Sequence, residues 1–159
     1  MNGGLVPSLL LSATVGLMLS FVATRTLAMA LVGFGAAALV AFAASFDFAP
    51  NIVFAGLWLS MIAAALLVYL PVARWSMAAL PISLNAGFWL GVSTGQSNNL
   101  SSLVIGILPL FIAIPARLVA GGKFNIAVKV VASWMIAIAS LSLFVTLIPT
   151  PGYKPDHME

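Results

Sequence analysis

General acid–base chemistry needs a positioned carboxylate, histidine or lysine. In its 159 residues the chain has three acids (Asp47, Asp156 and Glu159), one histidine (His157) and three lysines (Lys123, Lys129 and Lys154). None of the acids falls within an apolar run. Neither a catalytic set nor a proton relay through a buried carboxylate is expected, and the chain is read as a non-enzyme. Without cysteine and with a single histidine, thiolate catalysis, disulfides and a multi-histidine metal site within one subunit are excluded. His157, with Asp156 and Glu159, is expected to belong to a solvated tail, because a metal site needs ligands held in fixed geometry. Asp47 could bind a cation or sit at a mouth, but a lone loop carboxylate is expected to be solvated, since its burial is costly without a partner. No cofactor is expected, since the apolar runs hold no histidine or cysteine for haem and no glycine-rich phosphate loop follows a strand.

Of the cations, Lys129 alone is placed beyond the membrane boundary, and the other polar candidates within the runs are uncharged. Asn85 lies near the middle of an apolar run, one turn after Pro81, whose ring removes a backbone donor and frees the carbonyl near Met77. An amide at that depth must find a partner. Either it satisfies a neighbouring helix, or Pro81, Asn85, Ser93 and Gln96, facing Ser101, Ser102 and a kink at Pro109, line a polar path. Lys129, about one turn into the last apolar run, either snorkels to the headgroups or contacts an anion or substrate inside the bundle. Asn85, Ser93, Gln96 and Lys129 are therefore the transport-path candidates. Trp58, Trp89 and Trp134 lie within apolar runs, and their indole donors favour faces turned to helices or a cavity rather than to lipid.

Opposite the Asn85 face, small residues recur at every fourth position: Ala79, Ser83, Gly87, Gly91 and Gly95. Residues four apart stack along a helix, so this stripe would let a second helix approach closely. Gly33 and Ala37 begin a similar stripe, continued by Ala41 and Ser45, as a plausible partner.

The elements that position these groups follow from composition. Hydrophobic residues make up 63% of the chain and charged residues 6%, against about 25% charged in soluble domains, so a multi-pass membrane protein without a soluble lobe is expected. Six apolar runs, 5–23, 27–45, 52–70, 76–94, 100–118 and 126–148, are each long enough to cross a hydrocarbon core of about 30 Å. The fold class predicted is an all-α bundle of six transmembrane helices, forming one domain over 1–148, with 149–159 as a short polar outer tail. A cleaved signal peptide is disfavoured, because the first run has no basic residue before it. Arg25, Arg74, Arg117, Lys123 and Lys129 fall at alternate turns, and Asp47 lies between, so the positive-inside rule puts both termini on the outer (periplasmic) side. These turns also form a faint repeat of apolar residues running into arginine, 49 and 43 residues apart, which the same rule produces without duplication.

The net charge of +3 is spread singly along the chain, so nucleic acid is not an expected partner. The expected partners are the lipid bilayer and either further copies of the chain or a larger membrane protein. The expected location is the inner membrane of a bacterial cell. The expected function is transport or permeation of a small uncharged or weakly charged solute. The alternative is a non-catalytic accessory or scaffold subunit, docked through the stripes at Gly33 and Gly87.

Overall fold

The computed structural model describes residues 5–70, 72–96, 99–120 and 125–147. They form seven α-helices and one 3₁₀ segment, with no strand among the described residues. The helices are α1 (Leu5–Leu19), α2 (Thr24–Ala44), α3 (Pro50–Leu67), α4 (Val72–Gly95), α5 (Leu100–Ile107), α6 (Ala113–Ala120) and α7 (Asn125–Leu147), with the 3₁₀ segment Leu108–Ile112 between α5 and α6.

Local chemistry explains several boundaries. Pro50 opens α3 at a first-turn position, where its missing N–H removes no helical bond. Asn99 caps α5, its side chain accepting from the Ser101 N–H at 3.0 Å. Ser45 ends α2 in the left-handed region, at φ 47° and ψ 52°. Pro81 lies inside α4, which continues through it. The fifth apolar run departs from the single helix expected: it breaks into α5, the 3₁₀ turn holding Pro109, and α6.

Four stretches are long and apolar enough to cross a membrane: Thr24–Ala44, Pro50–Leu67, Leu100–Leu118 and Ile126–Val145. That is the helical inventory of an integral membrane protein. The described α1, at 15 residues, is about 22 Å long and falls short of a ~30 Å core. With 24 residues α4 is long enough, but Pro81, Ser83, Asn85 and its glycines dilute its hydropathy.

Burial places α1 at the centre. Nine of its 15 residues are buried, and it touches α3, α4, α5, the 3₁₀ turn, α6 and α7. By contrast α2 buries only Leu27, Ala30, Phe34, Ala38 and Ala41, a single stripe at helical spacing. That stripe faces α4, and the α2–α4 pair is the most extensive helix contact among the described residues. The outward faces are apolar: Val32 and Val40 on α2 and Trp134, Leu141 and Phe144 on α7 are all more than 60% exposed. Apolar side chains all round a helix suit hydrocarbon surroundings.

Candidate functional site

The site is built on α4, which is held on two sides. On one side its glycines meet the α2 backbone. A methyl group at Gly87 would lie 2.2 Å from the Phe34 carbonyl oxygen, one at Gly91 2.2 Å from that of Ala38, and one at Gly95 3.3 Å from that of Phe42. Positions 87, 91 and 95 meet 34, 38 and 42, so the register advances in step and α2 runs parallel to α4. Ala79 and Ser83 are buried on α4, whereas Gly33 lies beside the Leu80 and Leu84 side chains and Ala37 is half-buried. Of the stripe read at Gly33, Ala37 and Ala41, Ala41 meets Gly91, while Phe34 and Ala38 lie against Gly87 and Gly91 one position beyond Gly33 and Ala37.

On its other side α4 meets α3 and the turn that precedes α3. Gln96 Nε2 donates to the Phe48 carbonyl at 2.7 Å. The Trp89 ring lies over Gly56, where a methyl group would come within 2.4 Å of it. Asn85 Nδ2 donates to Ser60 Oγ at 2.7 Å. Positions ascend on α3 from Gly56 to Ser60 as they descend on α4 from Trp89 to Asn85, so these helices are antiparallel. The result is a line of contacts between α3 and α4 with a polar group at one end, an indole packed on Gly56 in the middle and an amide–hydroxyl pair beyond it. Ser60 is buried, but Asn85 remains exposed on the α4 surface. Each group suits a neutral, hydrogen-bonding solute better than an ion, because amides and hydroxyls offer both donors and acceptors and no net charge.

The four path candidates are only partly brought together. Asn85 and Gln96, 11 residues apart, share a side of α4 within about 20° and stand about 16 Å apart along it. Ser93 turns instead towards α1, with its Oγ 3.5 Å from Ser8 Oγ. Lys129 lies elsewhere, exposed on α7, and its backbone carbonyl accepts from the Tyr69 hydroxyl at 2.6 Å. Tyr69 is nine residues beyond Ser60, about 13 Å further along the α3 direction, so Lys129 is remote from the amide pair. Trp58 is buried, Trp89 is packed among aromatic rings, and Trp134 is 70% exposed. The inward face expected for Trp134 is not observed, because α7 packs through the stripe of Val128, Ala132 and Ala139 and leaves Trp134 outside it.

No protein-family model, curated protein or solved structure matches this chain.

Several site residues were not singled out in the sequence. Ser60 is one, although a hydroxyl in the middle of an otherwise apolar helix was a visible signal. Gly56 is another; its lack of a side chain becomes meaningful only once Trp89 is placed against it. At the other end of the bundle Arg117 Nη2 donates to Thr24 Oγ1 at 2.9 Å, tying α6 to the start of α2. Ser12 Oγ, Trp58 Nε1 and Ser83 Oγ are buried without a hydrogen-bond partner among the described residues. No group of three or more His, Cys, Asp or Glu comes together among the described residues. Ser97, Asn98, Lys123, and the tail with Lys154, Asp156, His157 and Glu159, lie outside the described residues, as do the side chains of Arg74 and Trp75.

Proposed function

We propose that the chain is a six-span membrane protein, both termini on the periplasmic side of a bacterial inner membrane, serving as a transport or permeation component for a small uncharged or weakly charged solute. The carrying observation is the Asn85–Ser60 pair, an amide and a hydroxyl joined at 2.7 Å across two apolar helices with the amide still exposed. In hydrocarbon such groups are costly unless they serve packing or a solute. Solute moving along the α3–α4 contact would meet Gln96, displace the Trp89 ring from Gly56, and exchange hydrogen bonds with Asn85 and Ser60.

The accessory-subunit reading needs a free small-residue seam on α4 for its partner. The contacts of Gly87 and Gly91 with α2 of the same chain weigh against that use of the seam. Association between copies remains compatible with permeation and would proceed through other faces.

The test is flux in proteoliposomes, followed by light scattering with glycerol and with urea. Wild-type protein is expected to accelerate shrinking or swelling over empty vesicles. Asn85→Leu is expected to lower that rate about tenfold, the cost of about one hydrogen bond from amide to solute at the barrier, with the elution profile unchanged. Equal rates for the two proteins would remove Asn85 from the path.

A further inference from the structure

The turn between α2 and α3 forms a cleft separate from the Asn85–Ser60 pair. Ser45 is the one non-glycine residue at positive φ among the described residues, and this conformation reverses the chain so that Phe46, Asp47 and Phe48 fold over the end of α4. Rings pin the turn on both sides of Asp47. Phe46 stacks on Phe48 at 5.6 Å between centroids and tilts against Phe88 at 5.5 Å, while Phe48 meets Trp89 at 5.9 Å. Gln96 holds the Phe48 carbonyl, which leaves the amide oxygen of Gln96 as an acceptor. The Asp47 carboxylate is exposed and has no ion pair or hydrogen-bond partner among the described residues.

Ser45, Phe46, Asp47, Phe48 and Gln96, with the adjoining ends of α3 and α4, bound a space of about 340 Å³. The space is open to its surroundings on one side, so a ligand there would be held at the rim and not enclosed. Its lining is selective in kind. An anion is repelled by the carboxylate, and a neutral solute gains little from it. A calcium ion takes six to eight oxygens, whereas the side chains here offer one carboxylate, one hydroxyl and one amide oxygen. An organic ammonium group matches better, because its diffuse charge and methyl shell sit against ring faces as well as beside a carboxylate. The wider field agrees: Arg25, Arg117 and Lys129 lie at the opposite end of the bundle, where α2 and α7 begin.

We propose that this cleft binds a small organic ammonium cation, with Asp47 supplying the counter-charge and Phe46 and Phe48 the aromatic wall. The assignment shares Gln96 with the permeation reading but does not rest on it, since it concerns equilibrium binding at the rim and needs no flux.

The test is equilibrium binding of radiolabelled choline to the purified full chain in detergent, with competition by its uncharged carbon isostere, dimethylbutanol, and by potassium. Saturable binding is expected, displaced by unlabelled choline and not by dimethylbutanol or potassium at equal concentration. Asp47→Asn, which keeps the shape of an exposed side chain, should weaken binding about tenfold or more. Phe46→Leu should weaken it about two- to tenfold. Absence of saturable choline binding, equal displacement by dimethylbutanol, or unchanged affinity in Asp47→Asn would each overturn the proposal. The competition on wild-type protein decides the point even if a variant fails to fold.

Discussion

Whether a glycine can be replaced depends here on what its hydrogen touches. Gly87 and Gly91 lie against the carbonyl oxygens of Phe34 and Ala38, backbone atoms that can yield only if α2 and α4 separate. Gly35, one helical position from that contact, has open space around it. Gly87→Ala and Gly91→Ala are therefore expected to destabilise the protein by about 1–3 kcal/mol each, as overpacking does. Gly35→Ala should be neutral or stabilising by up to about 1 kcal/mol, the helix-propensity gain. Thermal unfolding in one detergent checks the order, and a Gly87→Ala protein as stable as Gly35→Ala would contradict the close approach. At this scale the sequence made Asn85 visible, because an amide inside an apolar run stands out. Its partner was not visible, because several hydroxyls on several helices could have met the same amide. Lys129 shows the converse: its type suggested chemistry, and its place on α7 separates it from the Asn85–Ser60 pair.

At the scale of elements, the fifth apolar run contains two prolines with different outcomes. Pro109 lies in the 3₁₀ turn between α5 and α6, while Pro115 is third in α6, where the first turn lacks an internal acceptor for its N–H in any case. The break also has a tertiary seat: a methyl group at Gly16 of α1 would come within 2.8 Å of the Leu110 carbonyl oxygen. Sequence could mark both prolines, but which one interrupts the helix depends on where α1 leaves room for displaced carbonyls. The last helix depends on a different contact. Tyr69, just past the end of α3, bonds the Lys129 carbonyl and meets Ser133 Oγ, linking α3 to the otherwise exposed α7. Tyr69→Phe is expected to cost roughly 0.5–1.5 kcal/mol and to quicken amide exchange in α7 before other helices. Uniform exchange rates in both proteins would show that α7 is held by its apolar stripe alone.

For the whole molecule, charge and direction are linked. Among the described residues Asp47 lies at one end of the bundle and Arg25, Arg117 and Lys129 lie at or near the other, with α1 and α3 running against α2 and α4. The proposed orientation puts the cationic end in the cytoplasm. Because the chain has no cysteine, Ala49→Cys and Ala23→Cys make clean reporters. A membrane-impermeant maleimide should label Ala49→Cys in intact cells and Ala23→Cys only after permeabilisation. The opposite pattern would invert the orientation, and labelling of both from outside would break the hairpin order. Trp134, 70% exposed on α7, should be quenched by brominated acyl chains in a variant that keeps only that tryptophan. An unquenched Trp134 would mean that α7 faces protein, as it would in a tight oligomer.

The sequence by itself determined that the chain is helical and apolar enough for a membrane, and it located the helical segments to within a few residues at most boundaries. It could do so because a bilayer imposes conditions along one dimension: run length, hydropathy, and internally satisfied backbone bonds. Only the tertiary structure decided that α1 is central, that the α4 glycines meet α2 at Phe34 and Ala38, and that Asn85 pairs with Ser60. Neighbouring helices gain no hydrophobic advantage over lipid in such surroundings, so shape and a few hydrogen bonds choose among faces that look alike in sequence.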